Sequence, residues 1–278
     1  MKQWICTWTA RMTVVAMLSV VVLSSCSKEE DVINDPGIAP TLPPSSSFIM
    51  DFSTFPSEQS ENGRFEETKL HYAHAGLSFL FWQSVIGLQM IVPVAAFQAS
   101  FDQEAVYIPS EQQWNWSYEV AHGNTTYQAN LYAKPLNGNV DWKMYISKSD
   151  AYEDFLWFQG TSAIDGSNGT WTVSVEPAGN AREALFIDWK KTDDEVASIR
   201  YTVIDQSSDQ EDSYIEYGKT DDDTFDSYYW VFLASENNLM KIDYNSVTKA
   251  GRVQNPGYFE DDDWRCWSSD LVDTDCSN

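Results

Sequence analysis

The spacing of apolar and polar residues divides the chain into two regimes. From Ala75 to Phe97 no residue is charged. Leu77, Phe79, Leu80, Phe81, Trp82, Val85, Ile86, Leu88, Met90, Ile91 and Val92 would cover the whole circumference of a helix. A long helix is therefore expected over about residues 65–92. Ser60, Asn62 and Gly63 offer a start. Glu66 and Glu67 fall in the first turn, where the helix dipole favours carboxylates. Pro93 should end or kink the helix, because it lacks an N–H and its ring crowds the preceding turn. A helix apolar all round is either a membrane span or buried in a core. The run is long enough for a span, yet no Lys or Arg cluster flanks it to set an orientation. A central helix covered by sheet is the preferred reading.

Beyond about residue 105 the period changes to two. Trp114, Trp116, Tyr118 and Val120 alternate with polar residues, as do Tyr127, Ala129, Leu131 and Ala133. Val140, Trp142, Met144 and Ile146 continue the pattern, followed by Trp171, Val173 and Val175. Phe186 to Trp189, Ile199-Tyr201-Val203 and Tyr228-Trp230-Phe232 extend it. Turn signals separate these runs: Asn137-Gly138-Asn139, Asp165 to Gly169, Asp193-Asp194-Glu195 and Asp221-Asp222-Asp223. Short alternating strands joined by such turns read as an antiparallel meander with one face buried, and the pattern gives about ten strands. The expected fold is mainly β with one long helix: an antiparallel β-barrel or half-barrel meander wrapped around a buried apolar helix. No fixed-length repeat is visible, which argues against a propeller.

The beginning of the chain has a third character. Lys2 and Arg11 precede an almost wholly apolar stretch, Met12 to Leu23. Ser24, Ser25 and Cys26 follow, and then a burst of charge. A positive segment, a short apolar core and small residues read as a secretory signal over residues 1–25. Leu23-Ser24-Ser25-Cys26 resembles the lipobox of bacterial lipoproteins. The resemblance implies cleavage before Cys26 and lipid on that cysteine. Ser27-Lys28-Glu29-Glu30-Asp31 looks like the acidic export tag of surface lipoproteins of the Bacteroides and Flavobacterium group. That likeness implies an outer-membrane protein on the cell surface, with the periplasmic face as the alternative. Several acyl chains anchor stably where one holds marginally. A lipid anchor also weakens the case for a spanning helix. Residues 26–47, rich in proline and serine, read as a lipidated flexible tether. Residues 48–278 read as a single β-rich domain, with strands over about 105–253 and a tail over 254–278.

Charge and cysteines narrow the chemistry. A formal net charge of −25 opposes a nucleic-acid partner, which needs clustered Lys and Arg. The lipobox resemblance implies that Cys6 leaves with the signal and that Cys26 carries lipid, which leaves Cys266 and Cys276. In an oxidising compartment they are expected to pair and staple the tail. Glu67, His71 and His74 share a helix face and are weak candidate metal ligands, with His122 as a possible fourth from the sheet. They lack the His-Glu-x-x-His order that places a base beside zinc. A polar first turn is the preferred reading, and no metal or cofactor is expected. The acidic runs Asp221 to Asp226 and Glu260 to Asp263 lack the Gly-spaced calcium loop and read as solvated turns. No nucleophile elbow, phosphate loop or dinucleotide fingerprint occurs, so nothing nominates an enzyme.

The chain carries 12 tryptophans, and the tail concentrates aromatic rings among acids. Tyr258, Phe259, Trp264, Arg265 and Trp267 could form a sugar- or peptide-binding platform. The same residues could equally close one end of the barrel, which is the favoured reading. The expected function is a non-catalytic binding or structural role at the cell surface. The alternatives are a carrier of a lipid or other apolar ligand between helix and sheet, and a carbohydrate-binding surface protein. The partners expected are the membrane, through the lipid, and a protein, glycan or lipid ligand.

Overall fold

The computed structural model describes residues 37–50, 68–175, 181–192 and 195–276. A helix, α1 (Leu70–Ala99), precedes the strands β1 (Val106–Ile108), β2 (Gln113–His122), β3 (Thr125–Leu136), β4 (Asn139–Lys148) and β5 (Tyr152–Ala163). Then come β6 (Asn168–Ser174), β7 (Glu183–Thr192), β8 (Glu195–Val203), β9 (Tyr214–Lys219), β10 (Ser227–Leu233), β11 (Asn238–Tyr244) and β12 (Gly251–Gln254). A short helix, α2 (Pro256–Phe259), leads to β13 (Arg265–Trp267) and β14 (Asp273–Thr274). Every strand pairs antiparallel with the next, so fourteen strands lie in chain order in one sheet.

The meander and its alternation follow the sequence pattern. In β2, Trp116, Tyr118 and Val120 are buried while Ser117 and Glu119 are exposed. Asn137 and Gly138 both take positive φ, as a two-residue hairpin between β3 and β4 requires. The strand count exceeds the expected ten by four, and β1, β12, β13 and β14, of two to four residues each, are too short to show a period. The sheet does not close: among the described residues β1 and β14 are its free edges. A closed barrel, one of the two forms expected, is corrected to an open sheet.

The helix departs from expectation in three ways. It begins at Leu70, not near residue 65, and it continues through Pro93 to Ala99. Pro93 removes one intrahelical hydrogen bond, but Met90, Ala96 and Phe97 are buried on both sides of it and hold the last turns to the core. The start expected at Ser60, Asn62 and Gly63, and the first-turn acids Glu66 and Glu67, lie outside the described residues. Nor is the helix buried all round. Tyr72, Ala75, Phe79, Trp82, Ile86, Met90 and Phe97 are buried at steps of three, four and seven, whereas Leu70, Leu77 and Ile91 are exposed. Position in the fold, not residue type, selects the buried face.

Part of the expected tether also belongs to the core. Ser45–Phe48 form a 3-10 turn, and Phe48 is 1% exposed. The Phe48 ring stacks on Trp171 at 4.5 Å and meets Phe97 at 4.9 Å and Phe158 at 4.7 Å. The Tyr201 hydroxyl donates to the Phe48 carbonyl at 2.7 Å, and the Trp171 indole N–H donates to Ser47 Oγ at 3.2 Å. The packed domain therefore starts before residue 48. Proline and serine give no apolar period, so the sequence alone reads this stretch as linker.

The sheet makes room for its large rings by placing glycine across from them. Gly160 pairs with Trp171, Gly169 with Trp189, Gly251 with Trp267 and Gly218 with Tyr228. A Cβ on Gly160 would stand 1.9 Å from the Thr170 carbonyl oxygen and 2.7 Å from the Trp171 ring. Covering a strand glycine with a cross-strand aromatic recovers packing that the glycine forfeits.

Gly160→Ala should therefore destabilise the domain by about 1–3 kcal/mol, the range for overpacking. Phe48→Ala should cost about 3–5 kcal/mol. Chemical denaturation checks both. A Phe48→Ala effect near zero would return residues 45–48 to the tether.

Candidate ligand cleft and the tail that frames it

The last strands fold back on the start of α1. Cys266 and Cys276 form the expected disulfide, with a Cα–Cα distance of 5.2 Å. β13 pairs with β14 through Cys266↔Thr274 and Trp267↔Asp273. Two residues of strand hold little by themselves, and the disulfide fixes them in register. The consequence is electrostatic. The N–H groups of Leu70 and His71 donate to Asp273 Oδ2 and Oδ1 at 3.1 and 2.9 Å. Lys69, at the N-cap position, makes no capping bond with its side chain. A carboxylate 203 positions away in sequence thus caps the positive end of the helix. The Asp273 N–H returns a bond to the Thr68 carbonyl at 2.7 Å.

The two helix histidines turn to different partners. His71 Nδ1–H donates to the Cys266 carbonyl at 2.8 Å, with Asp273 Oδ1 at 3.5 Å. His74 Nε2 accepts from Asn255 Nδ2 at 2.9 Å. Its ring stacks on Tyr258 at 4.1 Å and tilts against Phe259 at 5.0 Å. Burial, and the neighbouring His71, push the His74 imidazole below the ordinary histidine pKa. Glu67 lies outside the described residues, and His122 is exposed at the end of β2. Among the described residues no group of three or more His, Cys, Asp or Glu is placed to hold a metal ion.

The five aromatic and basic residues singled out in the tail do not share one surface. Trp267 is buried, donates its indole N–H to the Lys249 carbonyl at 2.7 Å and packs on Tyr72. Trp264 lies under the Arg252 guanidinium at 4.2 Å. Phe259 lies under Arg265 at 4.9 Å, and Arg265 pairs with Asp261 at 2.6 Å. Tyr258 is 65% exposed. All four rings thus serve internal stacks, and Tyr258 alone of them remains largely exposed. The nearby acids serve turns: Asp222 accepts from the N–H groups of Thr224 and Phe225, and Asp261 from that of Asp263. These bonds favour the charged form and lower both carboxyl pKa values.

Beside this tail lies a cleft of about 440 Å³ between helix and sheet. His74, Leu77, Ser78 and Trp82 of α1 form one wall. Val231 and Leu233 of β10, and Asn238 and Met240 of β11, form the other, and Asn255 closes the end. Among the described residues of the lining Glu236 is the only charged one. The volume falls within the range of about 300–1,000 Å³ usual for small-molecule sites, and an apolar floor with a few polar groups is their usual composition. A wider hollow of about 970 Å³ on the outer face of β2 to β4 is lined mostly by polar and charged side chains, among them Glu119, Gln128, Asn130 and Asp154. Sequence reasoning missed Asn238, Asn255 and Asp273. Asn255 stands before Pro256-Gly257 and reads as an ordinary cap or turn residue, and Asp273 is one acid among many.

Asp273→Ala should leave the first N–H groups of α1 without an acceptor and cost about 0.5–2 kcal/mol. Hydrogen exchange should show the loss concentrated in the first turn of α1. Uniform exchange along the helix would defeat the capping role. No protein-family model matches the chain, and neither the curated proteins nor the solved structures contain a significant match.

Proposed function

We propose that this chain is a lipid-anchored binding protein that carries a small, mainly apolar molecule in the cleft between α1 and β10–β11. The observation that carries the reading is the cleft of about 440 Å³, which a helix filling the hollow of the sheet completely would not leave. In this reading the open sheet curls round α1 as a half-barrel, and the volume remains where the helix meets the tail. Leu77, Trp82, Val231, Leu233 and Met240 supply the floor for an apolar body. The polar groups at its end, His74, Asn238 and Asn255, are engaged with one another, which suits retention of a ligand more than turnover. Among the described residues of the lining none is Lys or Arg, and Glu236 opposes an anionic head group there. The lipobox-like Leu23-Ser24-Ser25-Cys26 and the acidic residues after it support anchoring at the outer membrane, facing the cell exterior.

Protein purified gently from its host should show, by native mass spectrometry, a mass excess that disappears on denaturation and extracts with organic solvent. Leu77→Glu places a charge on the cleft wall at an exposed position and should weaken retention tenfold or more, equivalent to about 1.4 kcal/mol. A bare mass for the native protein would sink the carrier reading and favour a protein partner. Cys26→Ala should move the protein from the membrane fraction to the soluble one.

A further inference from the structure

The hydrogen bonds in the polar wall of the cleft run in one direction. The Gly257 N–H donates to Asn238 Oδ1 at 2.9 Å. Asn238 Nδ2 donates to Asn255 Oδ1 at 2.8 Å, and Asn255 Nδ2 donates to His74 Nε2 at 2.9 Å. A side-chain amide can be turned end for end with little change of shape, so an asparagine alone does not fix the direction. A backbone N–H can only donate. Gly257 therefore fixes Asn238, Asn238 fixes Asn255, and Asn255 requires His74 Nε2 to be the lone-pair nitrogen. Asn255 is 8% exposed, so water offers little alternative. It also sits at the N-cap of α2, where an asparagine oxygen would ordinarily accept from the first turn. Here that oxygen accepts from Asn238, and α2 has no side-chain cap.

We propose that this one-way chain makes the cleft release its ligand in acid: neutral His74 holds the polar wall together, and a proton on His74 breaks it. The inference rests on the cleft being the binding site. A protonated imidazole donates from both nitrogens, so its Nε2–H would face the Asn255 amide donors. Turning Asn255 transfers the conflict to Asn238. Turning Asn238 transfers it to the Gly257 N–H, which has no second orientation. The conflict is relieved only when His74 or the Asn255–α2 segment moves, and both frame the cleft.

The groups around His74 offer the cation little. On its own helix stands His71, already engaged with Cys266 and Asp273. From α2 come the rings of Tyr258 and Phe259, with Arg265 behind the latter. From β11 comes Met240, whose sulfur receives a weak bond from Asn255 Nδ2 at 3.5 Å. Glu236 stands exposed among the lining residues. Glu236 and the Tyr258 ring face favour a cation, and both are largely in water. The depressed basicity of His74 agrees with this balance. Its sign is fixed: the preference for the neutral form is complete above the ordinary histidine value of about 6.5 and is lost as pH falls below that value through the lowered value of His74 in the folded protein. By reciprocity, a ligand that needs the intact wall depresses the His74 pKa further.

The test uses the full chain carrying Cys26→Ala, which needs no detergent, and the neutral fluorophore N-phenyl-1-naphthylamine as probe. Affinity should fall tenfold or more between about pH 8 and pH 5, in step with the His74 ring resonances followed by NMR. His74→Gln keeps an acceptor for Asn255 but cannot titrate, and its affinity should stay constant. Asn255→Asp accepts from both Asn238 and an imidazolium, and should move the midpoint above the ordinary histidine value. Absence of probe binding at pH 8 would overturn the cleft reading and this inference with it. Binding at pH 8 that persists unchanged to pH 5, or a profile that neither variant alters, would overturn the one-way chain alone.

Discussion

A sheet of fourteen strands in simple succession has one apolar face, and something must cover it. That constraint organises the molecule. The face is built largely of rings, with Trp142, Trp171, Trp189, Trp267, Tyr201 and Tyr229 among the most buried side chains. Each such ring removes enough surface from water for about 4–6 kcal/mol of gross transfer free energy, offset by the entropy of ordering the chain. The cover comes from two segments that precede the sheet in sequence. Phe79 of α1 meets Tyr229 edge-on at 4.6 Å, and Phe48 stacks on Trp171. Glycines across from the rings let the strands come together without displacing them.

Covering a sheet with a helix leaves the polar ends of the helix to be satisfied. Both ends draw on distant partners. Asp273 receives the first N–H groups, and the buried Tyr118 hydroxyl donates to the Ala96 carbonyl near the other end at 2.6 Å. Burial raises the pKa of that phenol, so it stays a donor throughout the physiological range. These three bonds pin the two ends of α1, the first turn to β14 and the last to β2. The disulfide contributes by holding β14 where Asp273 can reach the helix.

The cleft arises where these requirements meet. The start of α1 is bonded to β14 through Asp273, and the chain between β12 and β13 brings Tyr258 and Phe259 against His74. What remains is an apolar floor with a polar end whose hydrogen bonds all originate from one backbone N–H. Rigid direction in a buried network is costly to reverse. A single proton on His74 therefore acts on geometry as well as charge, which gives the cleft its sensitivity to acid.

The sequence by itself determined the meander, the alternation of its faces, the hairpin at Asn137-Gly138, the disulfide pair and the existence of a long helix. These follow from local periods, turn chemistry and the count of cysteines, which need no knowledge of neighbours. Tertiary structure decided the rest. The apolar circumference of α1 contained no period, so only packing could choose Tyr72, Phe79, Trp82 and Met90 as its inner face. Pro93 remains helical because the turns on both sides are buried. Phe48 enters the core through partners more than a hundred residues away, Trp171 and Tyr201. The polar end of the cleft joins His74 to Asn255 across 181 positions. Such a pairing exists only after the chain has closed on itself, and no local pattern encodes it.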